Sequence, residues 1–433
     1  MNRTHLTRYA RALKGTLGWK NLTARGRQSG HCRRLREVTP QRLVCALVES
    51  LGAFRVEAVT DILRTFNAQT GLNVQYKAFH NRLANPAFPR FMRQVYRDIL
   101  RNLSGSVLRP AADGKLAHFR DLVIQDGSSF AVHNALAGTF GGRFTAICPA
   151  AVELHTFLSV FHDQVIDVEL APDKEAEQHF LPAPESLAGK LFLADRGYQS
   201  LEYWEKVQAA GGFFLVRGKK DLHPRCLRVR GPGGRLRRFE GRHLQDVLHA
   251  LPRRRLDMDV QWDRPGGKTL QLRMVLLWTR HKKQYLVLVT NAPRRVLTAR
   301  EVLQVYRLRW QIELLFKEWK SYANLHAFTS ANAALVEGLI WASLCAAALK
   351  RSLAHASQRS GACAPISTRV VAMCGVHILP DLLYSALEGF RHLETILEHI
   401  FRYLWDNARR AHPLRDRMRG RMQFGLEYVG VTA

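Results

Sequence analysis

Acid is what this chain is short of: Asp and Glu number 36 against 65 Lys and Arg, a formal charge of +29 on 433 residues with a pI near 10.5. That imbalance sets it apart from an ordinary cytosolic enzyme and asks for a polyanionic partner. No Cys-x2-Cys pair occurs among Cys32, Cys45, Cys148, Cys226, Cys345, Cys363 and Cys374, so no zinc site is readable. An odd, unpaired set of thiols fits a reducing cytoplasm. The first forty residues are basic and lack the apolar centre of a secretory signal. The most apolar stretch, Gly338 to Leu349, has twelve uncharged residues, too short for a bilayer and suited to a core helix. His155, His162 and His179 stand isolated and read as structural rather than metal-ligating.

The positive charge is clustered. Residues 1–38 carry ten Lys or Arg and one acid, residues 217–255 carry thirteen against three, and residues 409–421 carry six against Asp416. Arg dominates, and its planar fork suits phosphate, so a nucleic-acid backbone is the simplest partner. An anionic membrane surface is the competing partner for a basic tail. These runs are broken by Gly and Pro and show no amphipathic helix, which turns the reading away from it, and no membrane partner is expected.

What is present in place of acid is a particular helix face. Thr298-Ala-Arg-Glu301 reads as a capping box, and no Gly or Pro follows until well past Lys320. Along that helix Tyr306, Arg309, Glu313 and Lys320 are spaced by three, four and seven residues. At about 100° per residue they share an arc of about 60°. A carboxylate can hold a divalent metal while Arg and Lys beside it grip phosphate oxygens. A solvated helix with an Arg309–Glu313 pair is the plain alternative.

Two further acids have a common form. Asp121-Leu-Val-Ile-Gln-Asp126-Gly reads as a short apolar strand ending in an acid and a turn, and Leu191-Phe-Leu-Ala-Asp195-Arg-Gly-Tyr198 repeats it. Sites in α/β sheets are built where strands end. Each acid alone also reads as a turn-capping Asp.

The order Asp126, Asp195, Glu313, with Tyr-x2-Arg-x3-Glu-x6-Lys around the last and Ala-Asp-Arg-Gly-Tyr around the second, resembles the DDE transposases of bacterial insertion sequences, in the group with the Tyr-Arg-Glu-Lys signature. The resemblance covers roughly residues 118–330. It implies an α/β fold with an RNase H-like catalytic core in which Asp126, Asp195 and Glu313 hold two Mg²⁺ ions, Mn²⁺ being a substitute. It further implies double-stranded DNA, both element ends and target, as partner of a homodimer, with Tyr306, Arg309, Lys320, Arg196 and Tyr198 touching DNA. Cleavage at the element's ends and transfer of the 3′-OH into target DNA would follow. Rivals are a nuclease of the same fold without strand transfer and a non-enzymatic DNA-binding descendant.

The rest of the chain arranges itself around that core, expected over 118–217 and 293–330. Residues 151–160 and 165–170 read as a hairpin, residues 174–187 as a helix, 202–210 as a helix and 211–217 as a strand. A β-rich insertion is expected over 218–292, where the resemblance implies DNA contact near the cut. Hairpin-forming members stack a Trp on a flipped base there; this chain has no Trp at 287–290, and Trp278 and Tyr285 are its aromatic substitutes. Residues 1–38 read as a basic arm and 39–110 as a helical DNA-binding domain. In the latter, helices at 56–67 and 74–83 flank a Gly-containing turn. Read as a helix-turn-helix, this pair offers Lys77 and Arg82 to DNA, with Tyr76, His80 and Asn81. Read otherwise it is a helical pair packed on the core. Residues 331–433 form a helical region, with helices at 334–355 and 393–410.

Overall fold

The N-terminal segment, expected as a basic arm, is helical. Arg3–Leu17 (α1) and Trp19–Gln28 (α2) place Leu6, Tyr9, Ala10, Leu13 and Leu17 on one face, all buried. This corrects the expectation that no amphipathic helix lies in the basic runs. The spacing of those residues is helical, and the face is covered by the later helices α6 and α14, whose ranges follow. The structure, a computed structural model, describes residues 1–112, 114–219, 222–325, 328–411 and 424–429.

Four more helices complete the N-terminal part: Pro40–Ala53 (α3), Val59–Thr70 (α4), Tyr76–Leu83 (α5) and Phe88–Leu103 (α6). Between α4 and α5, Gly71 takes φ +66°, a left-handed turn that Gly adopts without strain. Phe66 and Phe79 close the pair with ring centroids 5.3 Å apart.

A short strand, Leu108–Pro110 (β1), leads into the sheet. Its strands are Leu122–Ala131 (β2), Ala151–Ser159 (β3), Gln164–Pro172 (β4), Leu191–Ala194 (β5), Phe213–Arg217 (β6), Arg225–Gly231 (β7), Gly234–Arg235 (β8), Arg255–Asp263 (β9), Thr269–Thr279 (β10) and Gln284–Thr290 (β11). They run in the order β4-β3-β2-β5-β6-β11-β10-β9-β7-β8. Only β2–β5 and β5–β6 are parallel, so the sheet is mixed, as an RNase H-like core requires. The strands from the 218–292 region extend this same sheet through antiparallel pairing of β11 with β6.

Alternation along β5 divides the interior. Leu191 and Leu193 join the core shared with the helices, whereas Phe192 and Ala194 join a second core with Trp204 of Leu201–Ala209 (α7) and with Met258 and Met274. A short helix, Leu244–Val247 (α8), lies in that second core.

Three local expectations need correction. The helix expected over 174–187 is instead two single 3₁₀ turns, Glu177–Phe180 and Pro184–Leu187, because Pro182 and Pro184 withdraw donors and push the preceding residues out of helical geometry. The strand β2 does not end at Asp126 but continues through Gly127 to Ala131, paired throughout with β3. The helix from Thr298 is interrupted: Ala299–Tyr306 (α9) and Trp310–Tyr322 (α10) are joined by a 3₁₀ turn over Arg307–Arg309. The capping box at its start is present.

The C-terminal region holds Ala333–Arg359 (α11), Thr368–Met373 (α12), Gly375–Leu387 (α13) and Leu393–Asn407 (α14), with Leu426–Tyr428 (β12) pairing β1. At 27 residues α11 outruns the uncharged stretch that announced it and is long and apolar enough to cross a membrane by length and composition. It packs on α3 and α6, and 78% of its apolar window is buried inside the protein. Most of the basic run at 409–421 lies outside the described residues.

Candidate functional site

The sheet register sets the first two acids side by side. Gln125 of β2 pairs with Ala194 of the parallel strand β5, so Asp126 and Asp195 are the next residues on adjacent strands, and such strands lie about 4.8 Å apart. Helix α10 packs against β2 and presents Glu313 from its first turn.

Arg309 occupies the space between the helix and the strands. Its Nη1 donates to Asp126 Oδ2 at 2.5 Å, and its Nη2 donates to Glu313 Oε1. The 3₁₀ turn that breaks the expected helix ends at this residue, and a 3₁₀ residue advances about 120° rather than 100°. The four signature residues consequently do not share one straight arc. Tyr306 turns to Asp195 instead, its hydroxyl donating to Oδ1 at 3.2 Å and to the Ala194 carbonyl at 3.4 Å. Lys320, further along α10, donates to the Ser129 carbonyl at 2.9 Å, three residues past Asp126 on β2.

Burial and like charge act together on Asp126. Loss of water pushes its carboxyl up to about 7, with Asp195 and Glu313 adding to the rise and Arg309 and the Gly127 amide opposing it. The Tyr306 phenol is raised by burial and by the Asp195 charge. Burial lowers Lys320. Arg309 is raised: burial works against its charge, but Asp126 and Glu313 outweigh it.

Other expected contacts are placed differently. Arg196 is exposed on the turn after Asp195. Tyr198 is fully buried with its hydroxyl 3.3 Å from His155 Nδ1, which corrects its place among the expected DNA contacts: it supports the Asp195 turn from beneath. His155 is buried and stacked on Phe180 with centroids 3.7 Å apart, a structural role. Lys77 and Arg82 lie on α5, with Lys77 exposed. Trp278 and Tyr285 face each other across β10 and β11 with rings 5.0 Å apart, and the Tyr285 hydroxyl is tied to the Leu251 and Pro252 carbonyls.

Sequence reasoning passed over two groups. Arg217 ends β6 and stands 3.6 Å from Asp195 Oδ1; the run Phe-Phe-Leu-Val-Arg has the same strand-then-charge form as the acid motifs and was the available signal. Behind Asp126, Arg143 bonds Glu153 and Asp173, a cluster no local pattern announces.

Residues 117–349, more than half of the chain, match the family described as "Transposase DDE domain". The chain belongs to this family. Two relatives from Bacillus thuringiensis illustrate the likeness. The transposase for insertion sequence element IS231E, from subsp. finitimus, is 22% identical over 418 residues, covering 86% of this chain and 84% of that protein. The transposase for IS231F, from subsp. israelensis, is 22% identical over 344 residues, covering 69% and 70%.

A DDE domain is generally metal-dependent, and the donor chemistry here suits a hard divalent cation: three carboxylates, with no thiol or imidazole bonded to them among the described residues. Among the described residues no group of three or more His, Cys, Asp or Glu side chains stands ready around one point. The Arg309 cation bridges two of the three acids.

Proposed function

We propose that the chain is a DNA transposase that cuts at the ends of its element and joins the freed 3′-OH to target DNA by a cut-and-paste route, as a pair of copies on double-stranded DNA. The observation that carries this reading is the adjacency of Asp126 and Asp195 at the sheet's parallel pair with Glu313 held opposite by Arg309. Relatives named as insertion-sequence transposases over most of the chain support it.

In this reading Asp126, Asp195 and Glu313 hold two Mg²⁺ ions, or Mn²⁺ in their place. When bound, such ions make a bound water more acidic and stabilise a leaving oxygen. The remaining work falls to the chain itself. Tyr306 steadies the Asp195 carboxylate through its hydroxyl. Arg309 gives up its two carboxylates to grip a phosphate oxygen of the bound strand, a fork suited to that exchange. Lys320, anchored near Ser129, and the exposed Arg196 bear on phosphates to either side and hold the scissile bond over the acids.

The test is cleavage of the DNA flanking this gene by purified protein with Mg²⁺ or Mn²⁺, comparing wild type with Asp195→Ala and Glu313→Ala. Nicks at the element boundary that vanish in both variants, with joined products when supercoiled plasmid is added, are the expected result. Cutting that persists in Asp195→Ala sinks the site assignment. Nicks without joined products leave a nuclease, and tight binding without any cut leaves a non-enzymatic descendant.

A further inference from the structure

A second positively charged feature lies in the helical part of the molecule. The loop after α2 and the neighbouring end of α5 and start of α6 enclose an open crevice of about 1240 Å³ whose walls carry Arg33, Arg34, Arg36, Arg82 and Arg90, with Glu37 as the single acid. A small-molecule pocket usually occupies about 300–1,000 Å³ and is mostly apolar. This one is larger, wide open and cationic.

The charges are unspent. Among the described residues, Arg33, Arg34, Arg36 and Arg82 make no side-chain hydrogen bond or ion pair, whereas Arg25, Arg273 and Arg351 each sit against a carboxylate. Arg90 is anchored on the Ser29 carbonyl, which fixes the loop to α6. His31 lies at the floor, 3% exposed and stacked on Phe91 with centroids 5.0 Å apart, and its Nδ1 is buried with no hydrogen-bond partner. Concentrating unpaired arginines in this way costs self-repulsion, which an anionic occupant offsets. The lining contains Arg and no Lys, and forked guanidinium groups match phosphate oxygens.

We infer that this crevice takes the phosphate backbone of duplex DNA, with the start of α5 left free to meet base edges. The placement supports a duplex: Arg82 and Asn81 line the crevice from the last turns of α5, while Tyr76 and Lys77 are exposed at its first turn. Backbone contacts beside a helix in the groove set its register without reading sequence. The inference rests on the transposase reading for its ligand, but it concerns residues outside the three-acid site.

Binding of full-length protein is measured by fluorescence anisotropy in EDTA, with a duplex of the gene's flanking sequence and an unrelated duplex of equal length. The variant is Arg33→Ala/Arg34→Ala/Arg36→Ala, all exposed and checked for unchanged melting temperature. A control, Arg369→Ala/Arg391→Ala/Arg402→Ala, removes the same charge from exposed positions in the C-terminal region. Each lost phosphate contact reduces the slope of log affinity against log salt by ~0.9, so the crevice variant should lose about 3 and its binding should become about 40-fold less sensitive to a fourfold rise in salt. Both duplexes should weaken equally and the control should not change. Equal loss in the control, or no loss in the crevice variant, overturns the proposal. So does a crevice effect confined to single-stranded RNA or to phosphatidylserine vesicles.

The two readings fail separately. A crevice variant that binds and nicks as wild type does sinks the crevice alone. A protein that binds through the crevice and never cuts sinks the catalytic reading alone.

Discussion

Arg309 stands 2.5 Å from Asp126, and its other nitrogen holds Glu313, so one side-chain cation does the work of a counter-ion for two of the three acids. Arg309 and Asp126 are each about five-sixths buried, at 16% and 17% side-chain exposure. Removing one partner of such a pair leaves an uncompensated charge. Arg309→Ala should therefore lower stability in EDTA by about 3 kcal/mol. It should also open the carboxylates to metal, so that millimolar Mg²⁺ raises the melting temperature of the variant more than that of wild type. Equal shifts in both proteins would show that the guanidinium does not compete for the site.

Gly127, directly after Asp126, is required by a close approach. A Cβ there would lie 2.1 Å from Glu153 Oε1 and 2.9 Å from its Cδ. Glu153 is 3% exposed and bonded by Arg143 at 3.1 Å, so it has nowhere to go. Overpacking of this kind costs about 1–3 kcal/mol. Gly127→Ala should lose that much in urea unfolding, and adding Glu153→Ala should recover part of it. Gly197 makes a useful contrast, since the atom in its way belongs to the half-buried Glu177 side chain, which can swing aside. An equal penalty at both glycines would contradict this account.

How much of this was legible depended on the range of the interaction concerned. Asp195 was readable because four apolar residues run straight into an acid, with a glycine two residues further on, and the strand does end at Ala194 just before it. Asp126 was found, but its strand was cut short, since the segment from Gly127 to Ala131 is held by partners on β3 rather than by its own composition. The capping box placed the start of α9 correctly, yet nothing local marks the 3₁₀ turn at Arg307–Arg309, whose last residue bonds Asp126 across 183 positions. In the N-terminal segment the charge of the arginines hid the helical spacing of Leu6, Leu13 and Leu17. The Arg143–Glu153 pair had no signal at all, being an ion pair between a loop and a strand interior.

Tyr306 offers a separation of positioning from binding. Its hydroxyl reaches Asp195 at 3.2 Å. Tyr306→Phe removes one hydrogen bond of about 1 kcal/mol, which corresponds to about fivefold in the nicking rate at saturating DNA. Affinity for the duplex should stay the same. A loss of affinity with an unchanged rate per bound complex would place the phenol on DNA instead.

Glu153 sets a pH dependence whose sign can be worked out. Burial raises its carboxyl from the ordinary value of 4.5 to about 7, with Glu177, Asp173 and Asp126 adding and Arg143 opposing. Between those values the folded chain keeps a proton that the unfolded chain has released, so wild type loses stability as pH rises through that window. The full shift corresponds to at most about 3 kcal/mol. Its neighbour His155 is held down to about 4 by burial and stays neutral throughout, so it does not mask the effect. Glu153→Gln cannot release a proton and keeps the shape. Its melting temperature in EDTA should match wild type near pH 5 and exceed it by a few degrees at pH 8. A difference that is flat across that range would mean that Glu153 is ionised in the folded protein at both ends, with Arg143 outweighing its burial.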